Sequence, residues 1–261
     1  MIAFAAIAPH GDPAFVGGSP THEAMHELGR RHRAANVETT VVLTPHNVHV
    51  DGAFAVITAG SVSGRLDEYA IGVTRTVDRE LAGEIVAGLR TSDVPAVGVS
   101  YGSNDPALAE MPLDWGALIP LHFLGGDEPI VVVAPCRDLG LHEHTRAGEA
   151  IATACEGMRV ALVASADHGH RHDENGPFGF HEAAAAYDED VVELVRENRL
   201  GEVALLEPLV EDAYADSLWQ LAMLAGALGD RYDVDLLSYE APTYFGMLCA
   251  AYTTRAQDEE R

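Results

Sequence analysis

The sequence predicts an α/β fold: one domain with a mixed, largely parallel central sheet flanked by helices and a site at the strand C-terminal ends. Three observations carry this. Short apolar runs rich in β-branched residues alternate with longer stretches of helical periodicity. The 261 residues include 48% hydrophobic side chains at a mean hydropathy of +0.02, which suits a substantial core and not a disordered chain. Histidines and carboxylates gather just beyond the apolar runs, where open α/β sheets bind ligands.

The elements follow in order. Ile2–Ala8 is an apolar run that reads as a buried strand, ending in Pro9-His10-Gly11-Asp12-Pro13. Ser19-Pro20 pairs an N-cap with proline at the first helical position and opens a helix to about Ala35. Thr39–Leu43 and Phe54–Thr58 are strands, the first leading into Thr44-Pro45-His46-Asn47-Val48-His49. Asp78–Leu89 has helical spacing, with Leu81, Ile85, Val86 and Leu89 on one side. Ala96–Ser100 is a strand, and Gly102–Met111 a loop expected to cover a site. Ile130–Ala134 is a strong strand, followed by a helix through about Cys155. Val160–Ala164 leads into Ser165-Ala166-Asp167-His168-Gly169-His170-Arg171-His172. Helices are expected from about Phe180 to Glu197 and near Ser217–Leu228, then a strand at Val234–Ser238. Periodicity leaves Phe245–Tyr252 open between a strand and a buried helix. No internal repeat or linker divides the chain, so residues 1–254 read as one catalytic domain and 255–261 as a polar, frayed tail.

Charge excludes one class of partner. With 41 acidic and 16 basic side chains, all 16 of them arginine, the formal net charge is -25. Nucleic acid and anionic membranes would repel such a chain. The densest basic stretch, Gly29-Arg30-Arg31-His32-Arg33, reads as the polar face of a helix. Self-repulsion on this scale should be relieved by salt. No apolar run nears the roughly 20 residues that span a bilayer, and Met1-Ile2-Ala3-Phe4 lacks the basic start of a secretory signal. Cys136, Cys155 and Cys249 are widely spaced and odd in number, so a reducing cytoplasm is the expected compartment.

The chemistry-bearing residues lie at four strand ends: His10, His46, the Asp167–His172 group and Glu240. Two imidazoles and one carboxylate make a three-ligand set that leaves positions open on a divalent metal. That arrangement suits non-haem Fe(II), and the same donors hold Zn for hydrolysis. A further histidine from the Asp167–His172 group would then serve as acid/base beside the metal. Each residue also has a plain structural reading: a loop histidine bonding backbone, or Asp167 as a turn residue or the partner that orients an imidazole. His22, His26 and His32 read as a helix surface, His142 and His144 as a helix start, and His172 and His181 as polar loop or helix residues. No Gly-x-Ser-x-Gly elbow, Walker A motif or His-Glu-x-x-His helix occurs, and Gly17-Gly18 makes no dinucleotide fingerprint.

Five segments together resemble the class III extradiol ring-cleavage dioxygenases, of the protocatechuate 4,5-dioxygenase β-subunit type. They are Pro9-His10, Thr44-Pro45-His46, Leu113-Asp114-Trp115-Gly116-Ala117-Leu118-Ile119-Pro120-Leu121, Ser165–His170, and Tyr239-Glu240-Ala241-Pro242-Thr243-Tyr244-Phe245-Gly246. They span nearly the whole chain in the expected order. The resemblance implies Fe(II), with Zn or Mn as alternatives, held by His10, His46 and Glu240. It implies His170 as acid/base, with His168 its rival and His49 the rival of His46. It implies a catechol-type substrate and O2, a ring-opened semialdehyde-type product, and a homodimer or larger assembly. One departure stands out: many members have Asp-His-Gly where this chain has Asp114-Trp115-Gly116. Trp115 offers one N–H donor and an aromatic face but no acid/base group. Trp115, His122 and Asp167 are accordingly the expected substrate contacts, with His122 a candidate to fill the missing histidine's space. Two other readings remain: a zinc-dependent hydrolase at the same His/His/Glu site, and a non-catalytic binding protein on the same fold.

Overall fold

The computed structural model describes residues 1–255. In chain order its strands are β1 (Ile2–Ala8), β2 (Thr39–Leu43), β3 (Phe54–Ile57), β4 (Ser61–Leu66), β5 (Ile71–Thr76) and β6 (Ala96–Val99), then β7 (Glu110–Pro112), β8 (Ile130–Ala134), β9 (Val160–Ser165), β10 (Tyr232–Glu240) and β11 (Met247–Thr254). The helices are α1 (Pro20–Ala35), α2 (Arg79–Thr91), α3 (Trp115–Leu124), α4 (Leu141–Ala154), α5 (Glu182–Arg196), the single turn α6 (Val210–Ala213) and α7 (Leu218–Leu228).

The main sheet has the order β10-β11-β1-β9-β2-β8-β3-β6. Its centre, β1-β9-β2-β8, is all parallel, so the ends of four neighbouring strands open on one edge. β3 runs antiparallel to β8, and β11 antiparallel to both β1 and β10. The sheet is therefore mixed, with a parallel heart, and helices cover both faces. The apolar runs are continuous because the central strands are buried on both sides. Val41, Leu43, Val131 and Val133 pack beneath α2, α4, α5 and α7. Val42, Val132, Ala161 and Val163 face α1, α3 and a small sheet of order β5-β4-β7.

Local signals explain most elements. Ser19 accepts from the His22 N–H to cap α1, and Asn36 closes it in the left-handed conformation at φ 49°. Asp78 caps α2 through the Leu81 N–H, so Asp78 lies just before the helix that the spacing predicts. Phe245–Tyr252, open between strand and helix, resolves as β11 from Met247.

Three elements differ from expectation. β4 and β5 form a hairpin that the sequence does not announce, because Ser61–Leu66 mixes Ser, Gly and Arg with few apolar residues. α3 carries no helical periodicity because it is buried on nearly every side; Asp114 caps it through the Ala117 N–H. The segment Gly102–Met111 is not a cover for the site: it holds a 3₁₀ turn and the start of β7, which pairs with β4, and none of it lines the cleft described below. Of the expected tail, Arg255 is tied down, its N–H on the Arg231 carbonyl and its guanidinium on Asp233; 256–261 lie outside the described residues. No helix among the described residues is long and apolar enough to cross a membrane.

Candidate metal centre and its cleft

A cleft of about 1060 Å³ opens at the ends of the parallel strands. The chain leaving β1 contributes His10, that leaving β2 contributes His46, that leaving β9 contributes Asp167 and His170, and that leaving β8 contributes Arg137. Asp216, between α6 and α7, closes the group from above the sheet.

His10 is buried and fixed from behind. Ser165 Oγ gives its proton to the Gly116 carbonyl, so it can only accept from His10 Nδ1, 2.9 Å away. That places the His10 proton on Nδ1 and leaves an Nε2 lone pair facing the cleft. His46 Nε2 lies 2.9 Å from His10 Nε2, and Asp216 Oδ2 is 3.5 Å from His46 Nε2. Ligand atoms of His10, His46 and Asp216 all fall within 4.8 Å of one another. Asp216 Oδ1 is buried with no hydrogen-bond partner. Two imidazole nitrogens converging on a carboxylate with an orphaned buried oxygen is a donor set that fits a divalent cation.

Electrostatics agree with that fit. Burial, and then the neighbouring His46, hold the His10 pKa well below its usual value, and burial also lowers His46, with Asp216 opposing. Both rings are therefore neutral near pH 7, as ligands must be. Burial raises the Asp216 carboxyl above its ordinary range, against His170, His46 and Arg137, and raises Asp167 much further, with Asp216 adding to it. A bound cation would reverse the cost of ionising Asp216.

The His46 loop is held to α3. Asp114 accepts from the Thr44 hydroxyl at 2.7 Å and from the Asn47 side-chain amide at 2.6 Å, while capping α3. A Cβ on Gly116 would lie 2.5 Å from Thr44 Oγ1, so this close approach needs glycine. Trp115 stacks on His46 with ring centroids 4.5 Å apart. The tryptophan thus forms a wall of the cleft.

His170 points into the same cleft. Its Nδ1–H donates to the His168 carbonyl at 2.7 Å, which leaves Nε2 with a lone pair, and its ring stacks on Phe245 at 5.5 Å. His168 faces the interior. It is fully buried, its Nδ1 bonds Ser217 Oγ at 2.9 Å, and burial pushes its pKa down to about 4. Asp167 takes the His10 backbone N–H at 3.1 Å and sets its second oxygen 3.5 Å from His10 Nε2. Beneath this loop Asp188, fully buried, accepts from the Gly169 N–H at 2.7 Å and from His172 and the Tyr239 hydroxyl at 2.8 Å each.

Two expected residues lie elsewhere. Glu240 is not among the cleft-lining residues; its Oε1 accepts from the Thr21 N–H at 2.9 Å and so caps the first turn of α1. The reason is topological: β10 runs in the same direction as β1, but β11 separates them, a lateral offset of about 10 Å. His122, exposed on α3, packs against Phe15 and Phe123 outside the cleft lining. His49, the rival of His46, pairs at the surface with Asp51 at 3.2 Å. Asp216 escapes the sequence reading because it follows a helical turn, not a strand. Arg137 follows Ile130–Ala134, so the strand-end rule that finds His10 could also have found it.

A family comparison matches residues 8–248 to the catalytic LigB subunit of aromatic ring-opening dioxygenases, and the chain belongs to that family. Among curated proteins, Protein CA_C1420 of Clostridium acetobutylicum is 23% identical over 214 residues, covering 77% of this chain and 45% of that protein. The chain thus spans somewhat under half the length of that relative. Among solved structures, the uncharacterized protein JW3007 from Escherichia coli K12 superposes with a TM-score of 0.67 at 15% identity, covering 95% of this chain and 99% of that one. That likeness is one of fold.

Proposed function

We propose that the chain is a non-haem Fe(II)-dependent extradiol dioxygenase that opens a catechol-type ring beside the diol, adding both atoms of O2. The observation that carries this reading is the convergence of His10, His46 and Asp216 in an aromatic-walled cleft that His170 also enters. Family membership supplies the reaction class; the donors and their placement supply the site. Bound by these three residues, Fe(II) would offer open positions and lower the pKa of a diol hydroxyl.

The protein's own groups have definite tasks. Trp115, Phe245 and Tyr244 line a slot for a flat ring. His170, which lines the cleft with its Nδ1 held on the His168 carbonyl, takes a proton from the diol at Nε2 and returns it as the ring opens. Ser165 holds the His10 tautomer, and Asp114 holds the His46 loop. Asp167, its carboxyl raised well above its ordinary range by burial, braces the His10 backbone by accepting its N–H.

The test is O2 uptake with the absorbance of ring-opened product across a catechol panel, after anaerobic loading with Fe(II). His170→Ala should keep the metal and lose about 10²- to 10⁴-fold in turnover. Iron-dependent uptake with coloured product supports the reading. Metal binding with ester or amide hydrolysis and no uptake would replace it with the zinc hydrolase at the same donors.

A further inference from the structure

We propose that His22 and His26 form a second metal site, on the surface of α1 and separate from the cleft centre, that takes a borderline divalent cation of the zinc class. The site uses none of the residues assigned to the cleft chemistry and stands independently of the reaction proposed above.

The two histidines stand one turn apart in the first half of α1, so their rings share a face. Their Nε2 atoms are 3.2 Å apart. Two Zn–N bonds of about 2.0–2.1 Å at a tetrahedral angle set their nitrogens about 3.3–3.4 Å apart, so the pair already stands at chelating distance. His22 is oriented from behind: its Nδ1–H donates to the Ala14 carbonyl at 2.8 Å, which leaves the Nε2 lone pair facing His26. A carbonyl on the far nitrogen is the usual partner of a metal-bound imidazole. Both rings also make T-shaped contacts with Phe123, His22 at 5.7 Å and His26 at 5.2 Å. In the free protein His26 donates from Nε2 to His22. A cation takes the place of that proton, and His26 then carries its own on Nδ1. Burial, and then repulsion from His22, lower the His26 pKa, which keeps this ring neutral for ligation near pH 7. A net charge of -25 draws cations to the chain. His32, further along α1, takes no part: it is buried on the Thr40 hydroxyl at 2.9 Å. Among the described residues no third His, Cys, Asp or Glu brings a ligand atom within 4.8 Å of both rings, so water completes the coordination and the ion exchanges. The Ala14 carbonyl belongs to the 3₁₀ turn Asp12–Phe15, of which Asp12 and Phe15 line the cleft. A cation on His22 makes its Nδ1–H a stronger donor to that turn and so braces the cleft wall from outside.

The test reads metal binding, not turnover. Metal-free parent, His26→Gln and His122→Gln are dialysed to equilibrium against micromolar Zn2+ at pH 7.5. Any zinc in the cleft centre is common to all three and cancels in the comparison. The parent should hold one more zinc than His26→Gln, whose surface affinity should fall by at least about tenfold. His122→Gln removes an exposed imidazole from α3 and should bind as the parent does. His26 is exposed, and an unchanged melting temperature would confirm that its variant folds. A second readout identifies the ligands. Cu2+ held by iminodiacetate keeps positions open for imidazole, and its electron paramagnetic resonance spectrum reports how many imidazole nitrogens bind. The parent should show a two-imidazole species that both His26→Gln and His22→Gln lose. The same zinc count in parent and His26→Gln, loss of the extra zinc in His122→Gln alone, or a two-imidazole copper species that survives His26→Gln would overturn the proposal. Because neither measurement uses O2 or a ring substrate, a failed oxygenase assay would leave this site standing, and failure of this site would leave the oxygenase reading untouched.

Discussion

Replacing Asp188 should be among the most damaging single changes near the site, although the residue touches neither the cleft nor the metal ligands. Its carboxylate is fully buried and satisfies three donors: the Gly169 N–H, the His172 ring and the Tyr239 hydroxyl. Gly246 packs directly against it, since a Cβ there would lie 1.8 Å from Asp188 Oδ2. Asp188→Ala removes the acceptor and strands all three donors. Each costs about 1–3 kcal/mol when left unpaired, and some relief by entering water brings the expected total to about 3–5 kcal/mol. Asp188→Asn keeps one oxygen for the Gly169 N–H, while His172 and Tyr239 can each turn to accept from the new amide. Its expected cost is about 1–2 kcal/mol. Equilibrium urea unfolding measures both. With a slope of about 3 kcal/mol per molar, Asp188→Ala should lower the midpoint by about 1–1.7 M. An Asp188→Ala variant within about 1 kcal/mol of the parent would refute the view that this carboxylate pins the His168–His172 loop.

Other consequences are smaller or more local. Burial holds His168 at about 4 against an ordinary 6.5, so the unfolded chain takes up a proton first as pH falls. The stability that the neutral ring contributes is full above about pH 6.5 and is lost toward pH 4, up to about 3 kcal/mol. The stability gap between the parent and His168→Gln, measured by urea unfolding at pH 7 and pH 4.5, should therefore shrink on acidification; a constant gap would contradict it. Gly148→Ala should destabilise by about 1–3 kcal/mol in a thermal melt, because a Cβ there would lie 1.9 Å from the Met223 carbonyl oxygen where α4 crosses α7. A melt unchanged from the parent would mean that the helices can separate at no cost. Salt should raise the melting temperature, since a net charge of -25 repels itself; a flat or falling dependence would count against that.

The legibility of this fold in its sequence follows burial geometry. β1, β2, β8 and β9 are covered on both faces, so they appear as unbroken apolar runs with clear ends, and the residues after those ends do line the cleft. α3 is hidden for the same reason: enclosed on nearly all sides, it loses the polar stripe that reveals a helix. The β4–β5 hairpin is hidden for the opposite reason, as only three of its twelve residues are buried. At the site, His10, His46, Asp167 and His170 were within reach because each follows a strand. Glu240 follows one too, but strand order separates it from His10, and strand order is not written in the local pattern. Asp216 comes from the connection into α7 and is recognisable only once the chain is folded.

The most direct test of the account is the anaerobic affinity for Fe(II), by equilibrium dialysis, of the parent protein, Asp216→Ala and Glu240→Ala, each checked for folding by circular dichroism. The parent should bind one equivalent. Losing one of three ligands should weaken Asp216→Ala by at least about 100-fold, while Glu240→Ala, which loses a helix cap, should bind as the parent does. Full binding by Asp216→Ala together with loss in Glu240→Ala would contradict the His10–His46–Asp216 centre and return Glu240 to the metal.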